Sequence, residues 1–217
     1  SVRAATVGPR VYGVGGATTE GTSGAVEVFD ADRETWSAAA PMPTPRYGIG
    51  LVAIGGMLYA AGGFRDGQSL AVLERYDPVA DRWDALAPLS APRTHLAAVA
   101  RDGKLWALGG QHRGEVTAAV EVYDPATDAW SPGPAMPHAM SNFAAALLAG
   151  RVHVLRHQTH AALDPATGAW IAAPPMPTTR HGLGAAVVDD ALYAIGGCHQ
   201  QLFDLDTTEV FVPAPPA

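Results

Sequence analysis

Cysteine occurs once in 217 residues, as Cys198, so no intrachain disulfide can staple the chain and the fold must hold by packing. A single thiol fits a reducing compartment, and the cytoplasm is the slightly favoured location. Positive charge is also short: 14 Lys and Arg against 21 Asp and Glu leave a formal charge of −7, and no basic run follows a phosphate backbone. Nucleic acid is not an expected partner. No apolar run approaches the ~20 residues that span a bilayer, and no basic stretch followed by an apolar one opens the chain. A soluble protein with no membrane partner is expected, and because Ser1 rather than Met comes first, trimming ahead of it is expected too. Catalytic signatures are missing: there is no Gly-x-Ser-x-Gly elbow, no Gly-x-x-x-x-Gly-Lys phosphate cradle and no calcium loop of alternating acids.

What the chain does have is apolar material in register. Hydrophobic residues make up 48% and charged ones 16%, enough for a compact core. Trp36, Trp83, Trp130 and Trp170 recur at steps of 47, 47 and 40 residues. Diglycines keep phase at Gly15-Gly16, Gly62-Gly63, Gly109-Gly110 and Gly196-Gly197, each after a short apolar run that reads as a strand ending in a turn. Val28-Phe29-Asp30, Arg75-Tyr76-Asp77, Val122-Tyr123-Asp124, Ala162-Leu163-Asp164 and Leu202-Phe203-Asp204 follow, and each Asp is suited to fold its carboxylate onto the next backbone amides. A proline-rich segment closes each unit, Pro41-Met42-Pro43-Thr44-Pro45-Arg46 being the fullest copy.

This series of strand, Gly-Gly, loop, Tyr-Asp-Pro, Trp, Met-Pro and Arg resembles the kelch repeat, and it covers the whole chain. The resemblance implies an all-β fold: a five-bladed kelch-type β-propeller with four antiparallel strands per blade, ordered from the central channel outward. One domain, 1–217, is expected, with blades at approximately 1–45, 46–92, 93–139, 140–179 and 180–217. A lone four-stranded unit has two apolar faces and cannot bury both, so units must stack around an axis. Ser1 aligns with Gly48 and Pro215-Pro216 with Pro41-Met42, which predicts five whole blades closed by packing alone between the first and the last.

Shared residues build such a fold, so function is sought where the repeats disagree. From the second glycine to the aromatic before Asp, the first three blades span 13 positions, but His157 to Leu163 and Gly197 to Phe203 span only six. Two shortened loops should leave one side of the loop face low. Arg156-His157 replaces the diglycine of the fourth blade, so its backbone is expected to differ there. That blade also has Met140 where others carry Arg46, Arg93 and Arg180, and Asn142, the one asparagine of the chain, lies two residues on. Seven of eight histidines, His95, His112, His138, His157, His160, His181 and His199, are expected on the loop face. His153, in the aromatic position of Tyr12, Tyr59, Trp106 and Tyr193, reads as a packed ring with its polar tip satisfied.

Three functional readings follow. In the first, the chain is a recognition module, as the resemblance to kelch adaptor domains implies. It would bind a protein segment or a small, acidic ligand at the channel mouth through Arg46, Arg93, His95, Asn142, Arg156, Arg180 and His181. In the second it is a small enzyme or a metal protein, with a transition metal held between the fourth and fifth blades by His157, His160, Cys198 and His199, or with histidines acting as acid and base. In the third it is a purely structural module. Strand geometry already sets His153 and His157 about 13 Å apart, too far for one ion.

Overall fold

The computed structural model describes residues 2–198 and 206–213, and its secondary structure there is all strand. The first blade is β1 (Arg3–Val7), β2 (Arg10–Thr18), β3 (Gly21–Asp30) and β4 (Thr35–Ala39), an antiparallel meander hydrogen-bonded in that order. The second contains β5 (Gly50–Ile54), β6 (Met57–Ala61), a small hairpin of β7 (Phe64–Arg65) and β8 (Gln68–Ser69), then β9 (Leu73–Asp77) and β10 (Arg82–Leu86). The third repeats this plan as β11 (Ala97–Arg101), β12 (Lys104–Leu108), hairpin β13 (Gln111–His112) and β14 (Glu115–Val116), β15 (Val120–Asp124) and β16 (Ala129–Pro132). The fourth is β17 (Ala144–Leu148), β18 (Arg151–Arg156), β19 (Thr159–Leu163) and β20 (Trp170–Ala172), and the fifth is β21 (Gly184–Val188), β22 (Ala191–Ile195) and β23 (Thr208–Phe211). Five blades therefore stand around one axis, as a kelch-type propeller requires. Among the described residues the fifth sheet has three strands.

Local chemistry explains the strands. The two inner strands of each blade are joined by two residues, and Gly55-Gly56, Asp102-Gly103, Ala149-Gly150 and Asp189-Asp190 all take positive φ at both positions. That is the turn whose twist matches a right-handed strand pair. At the outer hairpins, Asp77 Oδ1 accepts from the amides of Val79 and Ala80, Asp124 Oδ1 from Ala126, and Asp164 Oδ1 from Ala166.

Blades pack through repeated devices. The inner strands contact in the series β1, β5, β11, β17, β21. Each of the four junctions encloses its own apolar core. Tyr12, Val14 and Met42 meet Ile49, Leu58 and Tyr76; Tyr59 and Leu89 meet Leu96 and Tyr123. Val120 and Met136 meet Phe143 and Val154, and Leu155 and Met176 meet Leu183 and Leu192. Trp83, Trp130 and Trp170 donate their indole N–H to Ala40, Ala87 and Pro134 of the preceding blade at 2.9, 2.7 and 3.0 Å. Among the described residues no such core joins the fifth blade to the first. Trp36 is 66% exposed where its counterparts are clasped, and Val188 and Val210 are 52% and 54% exposed. Among the described residues, then, no apolar packing between the first and last blades accounts for closure.

The fifth blade also corrects the expected loop length. Leu192 pairs with Phe211, as Leu58 pairs with Tyr76 and Leu105 with Tyr123, so Phe211 is the aromatic of this blade. Its loop is long, and only the fourth blade is shortened: there β18 turns directly into β19, with Arg156 opposite Thr159. The expected Leu202-Phe203-Asp204 and Pro215-Pro216 lie outside the described residues.

Candidate site at the channel mouth

The proline-rich segments set one residue ahead of the inner strand in each of the second to fifth blades: Gly48, His95, Asn142 and Gly182, all in the left-handed region at φ 65, 53, 53 and 65°. Their backbones form a ladder from blade to blade. His95 N–H donates to Gly48 O at 2.7 Å, Asn142 N–H to His95 O at 2.9 Å and Gly182 N–H to Asn142 O at 2.9 Å. This ladder fixes the rim, and side chains are set on it in pairs. The Tyr47 ring lies edge-on to His95 at 5.9 Å, and Thr94 Oγ1 is 3.2 Å from His95 Nδ1. The Asn142 amide nitrogen lies 3.2 Å from where a Cβ on Gly182 would stand. The rings of His157 and His181 face one another at 5.5 Å, and the Nδ1 of each is buried with no hydrogen-bond partner among the described residues. Burial, then the neighbouring Arg156 and His181, holds His157 below the usual histidine range. Burial, then the Arg3 guanidinium, does the same for His95.

His157 keeps the backbone role of the glycine it replaces. Its φ is 54° and its N–H donates to Arg180 O at 2.5 Å, as Gly110 N–H donates to Met140 O at 2.8 Å. The expected backbone difference is confined to Arg156, which continues the strand. At Gly109, by contrast, a Cβ would come within 2.5 Å of Met140 O, so close approach excludes a side chain.

The three arginines expected to hold a ligand do something else. Arg46, Arg93 and Arg180 are 0%, 3% and 0% exposed. Arg46 donates to Gly62 O at 2.7 Å, Ala60 O at 2.9 Å and Glu74 at 2.5 Å. Arg93 reaches Gly109 O, Ala119 O and, at 2.6 Å, Glu121. Arg180 reaches Ala194 O, Thr207 O and, at 2.7 Å, Glu209. Each guanidinium is held within its own blade while the same residue's carbonyl accepts from the blade before it, Arg46 O from Gly16 N–H at 3.2 Å, Arg93 O from Gly63 N–H at 2.8 Å and Arg180 O from His157 N–H at 2.5 Å, so these residues stitch blades and are closed to a ligand. In the fourth blade Ala161 stands where the others have the glutamate, and Met140 and Ala161 share one buried apolar cluster. An ion pair has been replaced by an apolar pair, an exchange that is often neutral or stabilising. The signal that would have revealed this is the glutamate two residues before each aromatic, at Glu74, Glu121 and Glu209.

The proposed metal ligands are not brought together. His160 is 4% exposed and lies inside the junction of the fourth and fifth blades rather than on the loop face. It is bonded to His153 Nδ1 at 2.8 Å and to Pro174 O at 2.8 Å. His157 faces His181 instead. Cys198 pairs by backbone with His181, and His199 lies outside the described residues. Among the described residues no three of His, Cys, Asp and Glu are grouped to hold an ion. His153 is buried and bonded at its polar tip, as expected.

Five antiparallel blades, arginine clasps, a tryptophan series and diglycine turns in phase define a propeller of the kelch type. The model of the KLHDC2/KLHL20/DRC7 Kelch-repeats domain matches residues 1–197, and the chain belongs to the kelch-repeat family. Among solved structures, the one titled "Structure of YjhT" superposes with a TM-score of 0.79 at 19% identity, over 91% of this chain and 72% of that one. No curated protein matches the chain. Kelch domains are in general protein-interaction modules. No helix is long and apolar enough to cross a membrane among the described residues.

Proposed function

We propose that this chain is a recognition module that takes a segment of a partner protein on the face where the channel opens, over Tyr47, His95, Asn142 and His181. The observation that carries this reading is the left-handed backbone of His95 and Asn142. Two other blades use glycine at that position, Gly48 and Gly182, at no steric cost. His95 is held there against about 1 kcal/mol of strain, and Asn142 is a residue that tolerates this region, so two blades present polar side chains where the other two present none. His95 and Asn142 each come just ahead of a residue that lines the central cavity, Leu96 and Phe143, which supports a place for both side chains beside a concave opening.

Displayed peptide libraries selected on the wild-type chain test the reading, with selected peptides remeasured on His95→Gly and Asn142→Gly. These variants relieve strain and keep the ladder, so melting temperature should hold or rise while affinity falls at least about tenfold, the scale of one lost hydrogen bond to a buried polar group. Peptides bound equally by wild type and both variants would move the site elsewhere. Failure to select any would count against a peptide-binding role.

A further inference from the structure

Behind the rim, the channel holds a cavity of about 330 Å³ walled by the inner strands of all five blades. One position of each inner strand, opposite the residue before the diglycine position, is shared by Arg3, Gly50, Ala97, Ala144 and Gly184. Four blades keep it small and the first places a guanidinium there. Nothing in the blade architecture calls for it. The clasping arginines come from the proline-rich segments, and each has its glutamate. The Arg3 guanidinium has neither an ion pair nor a hydrogen bond among the described residues, and no carboxylate lines the cavity.

A half-buried cation without a counter-charge loses part of its hydration, and no carboxylate among the lining residues offsets the loss. The wall mixes strand-backbone polar groups with the carbon of small side chains, while Ile49, Leu96, Phe143 and Leu183 pack in the blade junctions behind it. Burial accordingly draws the Arg3 guanidinium below its ordinary value, and its field reaches His95 at the mouth. In a chain of net charge −7 this is a positive pit in a negative surface, a combination that admits small anions selectively. The fork of a guanidinium matches a carboxylate in two parallel hydrogen bonds. The volume falls within the ~300–1,000 Å³ of small-molecule sites.

We infer that the channel is a carboxylate-binding site with Arg3 as its anchor. The inference rests on the channel mouth being the recognition face, and it adds the chemistry that face selects. The carboxylate comes either from a free small organic acid or from an acidic side chain of the bound segment, and one experiment separates the two. Acetate and propionate are titrated at constant ionic strength against acetamide and chloride, with the His95 Cε1–H resonance as reporter. A saturable shift for the acids, absent for acetamide and chloride and lost in Arg3→Gln, is expected. Arg3→Lys keeps the charge without the fork and should retain the shift at lower affinity; without acid present it should melt as the wild type does, and Arg3→Gln at or above the wild-type temperature. In a second arm, selected peptides are remade with Asn and Gln for Asp and Glu. A loss of at least tenfold that vanishes in Arg3→Gln makes the side chain the source; acetate binding with no such loss makes a free acid the source. If acids give no saturable shift and peptides bind without regard to Arg3, the anion site is overturned and the recognition reading stands. If acetate binds at Arg3 but no peptide is ever selected, the anion site stands without a peptide.

Discussion

Arg93 and Met140 hold the same place in successive blades, and the residue each faces changes with it, Glu121 for the arginine and Ala161 for the methionine. The fourth blade is thus a control built into the molecule for what the clasp contributes. Arg93→Met alone should cost roughly 3–5 kcal/mol, since it leaves Glu121 buried and unpaired. Arg93→Met with Glu121→Ala recreates the fourth-blade pairing and should recover most of that loss. Urea denaturation of the two variants measures the difference directly. A double variant as unstable as the single one would mean that the arginine's bonds to Gly109 O and Ala119 O, not the charge pair, hold the junction. The same reasoning shows why the arginines misled a reading of the sequence. Arginine beside a turn looks available to a ligand, and its burial depends on a glutamate 28 residues on, across the sheet of the same blade.

At the scale of elements, the diglycines, tryptophans and Tyr-Asp turns were legible because each serves a local backbone need that repeats in every blade. The third strand of the fifth blade was not. Leu202-Phe203-Asp204 imitates the hydrophobic-aromatic-acid signature, whereas Thr208–Phe211 is the strand and Val212 follows its aromatic where the other blades have Asp. Glu209-Val210-Phe211 repeats Glu121-Val122-Tyr123, so the clasp glutamate was the more faithful marker. The fourth blade differs again in its β18 and β19 pair, where His153 and His160 take the places of Tyr59 and Leu73. Burial, then His160 and Arg151, lowers His153 from 6.5 to about 4. The folded state therefore favours neutral His153, and above pH 6.5 both folded and unfolded chains have it neutral. As pH falls below that value the unfolded chain binds a proton that the folded chain refuses, so stability declines until about pH 4. His153→Tyr with His160→Leu gives this blade the pair of the second one and should flatten the slope of melting temperature over that window. An unchanged slope would assign it to other histidines, such as His95 or His157.

Across the whole molecule, stability is a sum of blade junctions, and only four are filled with an apolar core among the described residues. Trp36 shows the consequence, since its counterparts Trp83, Trp130 and Trp170 each donate to a preceding blade while it is 66% exposed. Trp83→Ala should therefore cost much of the roughly 3–5 kcal/mol of a core aromatic, and Trp36→Ala no more than a surface change of about 0.5 kcal/mol. A graded ring also predicts graded opening. The second, third and fourth blades are packed on both faces, the first and fifth on one, so local unfolding should begin at the ends and spread inward. Native-state hydrogen exchange should find the amides of β12 and β15 protected near the global limit, and those of β1, β21 and β22 exchanging through smaller openings. Uniform protection around all five blades would show that the first and fifth are held as firmly as the rest. Arg3 sits on β1, at the end expected to open first, so a carboxylate bound there should raise protection in β1 and in the inner strands facing the channel, β21 included. That coupling would make the occupied channel the feature that holds the two ends of the ring in place.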